Sequence, residues 1–388
     1  MTDLYSYTNA VNRLDKFIKR KLKDYARYRN YDYGSQEDNF VSAISPAITR
    51  KIVTEEFVIN RALDSFKYNT IGKYIEEVCW RTYWRGYLEQ HDDIWEQYNN
   101  SLDELDSWRD DSDYLKAING DTQIRCFNVW INTLKKHNYL HNHTRMWFAS
   151  IWVHYLCLPW QLGADFFMRH LLDADSASNT LSWRWVVGLH TKNKYYLARA
   201  DNIKKYTNGI FNPHELIKKD YVYKIPFINS NFSGFTIDNE SFSESVNCVL
   251  IHENDLSLEN LPDSDFILVQ KTNCEGIKRS SHVKEFIDKC LENRINDLRI
   301  KSKSKIIEYS FENQIEIIEF IKRNKIEKIH TPYPTIGYLK THLNHLERRL
   351  SIEFDYIYSK WDCLFWPHAN KGFFKLKKQI PKLLEQCK

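Results

Sequence analysis

Helical periodicity runs through residues 1–230 and then stops, and this change of texture constrains the fold more than any single motif. Across 11–28 the apolar residues Val11, Leu14, Phe17, Ile18, Leu22 and Tyr25 recur at helical spacing. Ser45-Pro46 reads as a helix start with proline in the first turn, and the period continues through 70–90, 125–138, 142–158 and 162–172. Residues 228–245 are rich in Ser, Asn and Phe, hold no period, and suit a linker. Beyond them, β-rich runs at 246–252, 265–270, 305–309, 326–331 and 353–358 alternate with helical runs at 282–296, 312–324 and 336–350. That alternation predicts a parallel sheet with crossover helices. The expected organisation is an all-helical domain at 1–230, a linker at 231–245 and an α/β, Rossmann-like domain at 246–388. No Gly-x-Gly-x-x-Gly follows any of the strands, so the second domain has no dinucleotide fingerprint.

The chain of 388 residues is long enough for two domains with cores of their own. Its net charge of +4 is that of an ordinary soluble protein, so only local placement of charge can speak for a polyanionic partner. The eight cysteines (79, 126, 157, 248, 274, 290, 363 and 387) form neither a Cys-x-x-Cys pair nor a cluster at zinc spacing. Reduced thiols and no bound metal are expected. The amphipathic, charged N-terminus does not read as a signal peptide, and no run of about 18 apolar residues offers a membrane span. A cytoplasmic monomer is the expectation.

Within the helical part, residues 139–185 are too polar and too rich in tryptophan for a plain core. Asn142 and Met146 lie one turn apart, Asp173 and Asp175 bracket a helix end, and Trp160, Trp183 and Trp185 add aromatic surface. The order Asn-x-x-Arg-Met (Asn142 to Met146, with Arg145), Asp-x-Asp-x-x-x-Asn (Asp173, Asp175, Asn179) and Trp-x-Trp resembles the FAD-binding helical domain of DNA photolyases and cryptochromes. In that family an α/β domain normally precedes the helical one; here the α/β-like part follows.

The resemblance implies FAD as cofactor and UV-damaged DNA as partner. It places Tyr25, Ser42, Ser45, Arg81, Asn142, Arg145, Asp173, Asp175 and Asn179 around the flavin. Hydroxyls and helix N-terminal amides would meet the pyrophosphate. The family's Thr-Ser-Arg-Leu-Ser-Pro clasp is Val41-Ser-Ala-Ile-Ser-Pro46 here, so one hydroxyl and one cation are missing. An Asp-x-Asp near a helix end is also a common capping pair. Asn142 matches the photolyase residue beside flavin N5, where plant-type cryptochromes tend to carry Asp and animal-type ones Cys. Glu77, Trp80, Met146 and Trp185 match the substrate side, and neither 142 nor 146 is the His typical of (6-4) repair relatives. Trp80, Tyr83 and Trp84 have a second reading as core aromatics. Trp183, Trp160 and Trp108 match the family's electron relay, with Trp130 and Trp152 as further aromatics in the same core.

The resemblance thus implies light-driven repair of cyclobutane pyrimidine dimers, with a cryptochrome-like light receptor as the alternative. Whether the second domain holds an antenna chromophore is left open by the sequence. Lys192, Lys194, Arg199, Lys204 and Lys205, interleaved with tyrosines, suit phosphate contacts, although a basic loop is equally often only solvated. The Lys371–Lys388 run is a second basic candidate, with His368, Phe373 and Phe374 expected to be packing residues.

Overall fold

The computed structural model describes residues 3–35, 37–191, 194–216, 230–235, 237, 245–257, 261–271, 277–310 and 314–387. Lys192, most of the expected linker, Cys274 and Lys388 lie outside the described residues. Twelve helices come first: α1 (Tyr7–Arg20), α2 (Tyr25–Tyr28), α3 (Ser45–Thr49), α4 (Glu55–Leu63), α5 (Tyr68–Glu89), α6 (Asp93–Glu104), α7 (Ser112–Asn119), α8 (Arg125–His137), α9 (Asn142–His154), α10 (Trp160–His170), α11 (Ser176–Val186) and α12 (Ala200–Tyr206). The second half runs β1 (Ser245–Ile251), β2 (Asp263–Gln270), α13 (Ser281–Lys301), β3 (Lys305–Tyr309), α14 (Gln314–Arg323), β4 (Lys328–Pro332), α15 (Tyr338–Leu350), β5 (Glu353–Ile357), α16 (Lys360–Phe365) and α17 (Phe373–Gln386). The five strands form one sheet in the order β3-β2-β1-β4-β5, every pair parallel. This is the helical-then-α/β architecture that the periodicity predicts. No described helix is long and apolar enough to cross a membrane.

Helix α5 is the axis of the helical layer. At 22 residues it is buried on several sides, and its residues at helical spacing, Tyr74, Glu77, Val78, Arg81 and Trp84, form one continuous face. On another side Gly86 lets the C-terminal segment approach, for a Cβ there would lie 2.7 Å from the Trp366 ring and 2.9 Å from Ala369. Trp361 of α16 donates its indole N–H to the Thr82 hydroxyl at 2.9 Å. The chain after β5 therefore returns to cover the helical layer.

Parallel α/β sheets usually bind ligands outside the carboxyl ends of their strands, where the strand order reverses. Here that place lies between β1 and β4, and two cations from the helical layer occupy it. Arg50 lies 3.5 Å from Glu253, which Arg279 also grips at 2.7 Å. Lys51 lies 3.0 Å from Asp255 and 3.2 Å from Asp362. Charges this deeply buried are tolerated only when paired, so each bridge fixes how the sheet sits on α3 and α5.

Candidate functional site

The face of α5 fronts a cavity of about 670 Å³, within the range of small-molecule and cofactor sites. Its walls come from the α2–α3 region, α5, the start of α9, and the segment from the end of α10 through α11, with Phe374 of α17 at its edge. Fourteen residues expected from the sequence line it: Tyr25, Ser42, Ser45, Glu77, Trp80, Arg81, Asn142, Arg145, Met146, Asp173, Asp175, Asn179, Trp183 and Trp185. They span 161 positions of sequence, from Tyr25 to Trp185 counted inclusively, and no local pattern would gather them. Trp160 and Trp108 are not among the lining residues.

The two aspartates do different work. Asp175 is the N-cap of α11, accepting from the Ser178 amide at 2.7 Å through Oδ1 and from Arg85 Nε at 2.7 Å through Oδ2. Burial alone would raise its carboxyl, but the Arg85 and Arg81 guanidiniums outweigh it and hold the group far below the usual carboxylate range. The capping reading is thus correct for Asp175, with an ion pair added. Asp173 instead spends one oxygen, Oδ2, on the Ser45 hydroxyl at 2.5 Å and Arg145 at 3.0 Å. Its Oδ1 is buried without a hydrogen-bond partner among the described residues. Burial raises this carboxyl too, and Arg145 and Arg81 more than reverse it.

Four further lining residues carry buried polar atoms without a hydrogen bond among the described residues: Tyr74 Oη, Arg81 Nη1, Ser178 Oγ and Trp183 Nε1. An unsatisfied buried group costs on the order of 1–3 kcal/mol. Five such atoms around one cavity, one acceptor-only carboxylate oxygen, two hydroxyls and two N–H donors, ask for a ligand with both donors and acceptors. A flavin dinucleotide, with phosphate, hydroxyl and ring amide groups, meets that demand.

Asn142 opens α9 as its first helical residue, and Met146 follows on the same face one turn later. The preceding His141 caps the helix by accepting from the His143 amide at 3.2 Å, and burial lowers its imidazole to about 4. His143 packs against Trp147 at 4.3 Å and bonds the Asn30 carbonyl at 2.9 Å. Both histidines thus serve the helix and its packing, and His143 also lines the cavity.

On the substrate-side wall, Glu77 is half-buried between Arg29 and Lys73, each at 3.0 Å. Trp80 stacks flat on Phe373 at 3.7 Å and 14° and leans on Trp84 at 5.2 Å, so its core-aromatic reading holds for one face. Trp185 stacks on Tyr196 at 5.6 Å. Trp183 forms the inner wall; its tryptophan ring contact is Trp152, edge-on at 6.3 Å. Trp160 has its ring contact with Tyr98 at 5.7 Å, and Trp108 sits 37% exposed in a short 3-10 turn at 106–110. The ring contacts do not chain the three relay tryptophans together.

Sequence reasoning missed Arg85, Trp84, Lys73 and Phe374. Arg85 is four residues beyond Arg81 on the same helix, a spacing that carries its signal. Phe374 has none, because its approach depends on the return of the chain after β5. The expectation that His368 and Phe374 pack is incorrect: both are exposed, Phe374 to 73%, while Phe373 alone is buried. Lys194, Arg199, Lys204 and Lys205 are exposed, with Arg199 beside Asp201 and Lys205 over the Tyr206 ring. No group of three or more His, Cys, Asp or Glu side chains able to hold a metal occurs among the described residues.

Such a pocket, with donors and an acidic acceptor buried in a helical wall beside tryptophan, suits a cofactor that carries both acceptors and donors. Residues 74–222 match the family described as the FAD binding domain of DNA photolyase. Over those residues the chain is similar to the FAD-binding domain of DNA photolyases, and this match supports FAD as the cofactor. A deoxyribodipyrimidine photo-lyase of Agrobacterium fabrum is 30% identical over 186 residues, covering 47% of this chain and 38% of the relative. One from Buchnera aphidicola is 24% identical over 258 residues, covering 60% and 50%. A bacterial class III photolyase structure from Agrobacterium tumefaciens superposes with a TM-score of 0.45 at 26% identity, covering 52% of this chain and 43% of that one. The chain therefore spans half or less of the length of these relatives.

Proposed function

We propose that this protein is a light-driven, FAD-dependent lyase that splits cyclobutane pyrimidine dimers in DNA. One observation carries the reading: the four substrate-side residues, Glu77, Trp80, Met146 and Trp185, line the same cavity as the nine cofactor-side residues. The names of the relatives, deoxyribodipyrimidine photo-lyases, support it. We retain the division into units at 1–230 and 246–388, joined by 231–245, as part of this proposal.

Bound FAD supplies the light-dependent electron chemistry. The chain's own residues bind, orient and exclude water. Arg81, Ser178 and the Trp183 indole offer donors, and Asp173 an acceptor, on the inner wall. Asn142 presents a neutral amide, so this position adds no negative charge beside a reduced, anionic ring. Trp80 and Trp185 offer apolar faces to bases removed from the stack, an unstacking that costs a few kcal/mol and less for a damaged pair. Glu77, held by Arg29 and Lys73, points a carboxylate at the pyrimidine edge.

The test is dimer loss under blue light with the bound flavin reduced, run beside a (6-4) lesion. Repair of the cyclobutane dimer alone is expected. A second reading, a cryptochrome-like receptor without repair, has one observation in its favour: Phe373 already covers a face of Trp80. Intact flavin photochemistry with neither lesion repaired would select it.

A further inference from the structure

We infer that the C-terminal helix α17 completes the DNA-facing site, with Phe374 as a stacking residue that sharpens the preference for an extruded base; this rests on the reading that the cavity receives damaged DNA. Helix α17 is anchored by Phe373, Leu376, Ile380, Leu383 and Leu384, all buried. Phe373 is seated on Trp80, and Lys377 lies 2.9 Å from Glu76 on α5. The next side chain, Phe374, turns outward: it is 73% exposed and lies on the edge of the cavity. An aromatic ring held by a fixed helix at the opening of a pocket is preorganised for a planar ligand, with little ordering left to occur on binding.

Phe374 also offers what Trp80 lacks. With one face of Trp80 stacked on Phe373 and its ring also leaning on Trp84, less of that indole is open to an incoming base, and Phe374 adds a second aromatic surface lining the same cavity. Phenylalanine has no hydrogen-bonding group, so it stacks on any base. The charge around it suits a polyanion. Lys371, Lys375, Lys378 and Lys382 are exposed, and Glu385 is the one acidic residue between 371 and 388. Lys377 and Lys378, three and four residues on, share the helical face of Phe374. The acids nearby are neutralised, Glu76 by Lys73 and Lys377, Glu77 by Lys73 and Arg29.

The test uses full-length, FAD-loaded protein and a duplex with one thymine dimer beside the same undamaged duplex. Phe374→Ala should weaken dimer binding about 5- to 100-fold, the range for loss of one base–aromatic stack, and leave flavin content unchanged. Phe374→Trp should restore the preference, which a merely structural role would not predict. Lys375→Ala and Lys378→Ala should weaken both duplexes alike and each lower the salt slope by about 1. Unchanged discrimination in Phe374→Ala, or tighter binding, would overturn the inference; the second outcome would make α17 a shield over the site. Should the wild-type protein not prefer the dimer, the proposed repair function fails first and the inference with it.

Discussion

Asp173 and Asp175 are two residues apart, both buried, both facing the same cavity, and the difference between them lies in one oxygen atom. Asp175 has both oxygens engaged by the Ser178 amide and Arg85, so its loss strikes the fold. Replacing it with alanine removes a helix cap, about 0.5–2 kcal/mol, and takes from the buried Arg85 guanidinium its shortest partner, leaving Glu55 at 3.7 Å and the Thr49 carbonyl at 3.2 Å. Asp175→Ala is expected to lower the urea midpoint sharply. Asp173 keeps Oδ1 for a ligand, and asparagine at that position preserves shape while removing charge. Asp173→Asn keeps the shape but loses the ion pair with Arg145, so it should fold with a modestly lowered midpoint and bind FAD roughly tenfold more weakly, the scale of a hydrogen bond to a charged group. Flavin released on denaturation, per mole of protein, measures this. Full flavin content in Asp173→Asn would move the ligand contact elsewhere. The Asp-x-Asp spacing alone cannot make this distinction, because capping and ligand binding use the same residue type; the partner of each oxygen comes from Ser45, Arg85 and Arg145, far away in sequence.

Among the elements, the contact of α10 with α11 sets the inner wall. Gly163 lies where a Cβ would sit 2.3 Å from the Trp183 ring and 3.0 Å from Trp152 Nε1, so both indoles depend on its missing side chain. Gly163→Ala should destabilise the protein by about 1–3 kcal/mol through overpacking, and displace Trp183 from the cavity. Trp183→Phe keeps an aromatic ring in the wall and removes the indole that the proposed function uses as the electron relay. Light-driven reduction of oxidised flavin should then slow strongly, while chemically reduced protein keeps its activity; unchanged kinetics would assign the relay to other aromatics, with Trp152 the first to replace. Among the helices that line the cavity, α5, α9 and α10 are legible from periodicity, while α11 is marked in the sequence only by its Asp-x-Asp start and its tryptophans. Helix α17 is not legible. Phe373, Leu376, Ile380, Leu383 and Leu384 recur at helical spacing, but abundant lysine and Pro381 inside the helix give the segment the look of a charged tail.

At the scale of the whole molecule, the sequence shows that a helical part precedes a parallel sheet but not how they meet. The joint is made by Arg50 and Lys51 reaching acids more than 200 positions away, and charged residues in a sequence do not declare their partners. The same burial that fixes this architecture makes it sensitive to acid. Burial lowers His141, His170 and His190 to about 4, against an ordinary value near 6.5. Above pH 6.5 these histidines are neutral whether folded or unfolded, and their contribution does not vary. Between about 6.5 and 4 the unfolded chain takes up protons that the folded one refuses, so stability falls as pH falls, on the order of 3 kcal/mol for His141 alone. Asp173, Asp175, Glu253 and Asp255, all held low by their cations, add a further loss below about pH 4, as protons reach carboxyls that are ionised only in the folded state. Urea unfolding of the FAD-loaded protein at pH 7.5, 6.0 and 5.0 should therefore show a midpoint that declines steadily. His141→Gln, which keeps an acceptor for the His143 amide without a titrating ring, should flatten part of that decline. A midpoint constant from pH 7.5 to 5.0 would mean that these imidazoles take up protons in the folded protein at their ordinary value, and that water reaches α9 at its capped end.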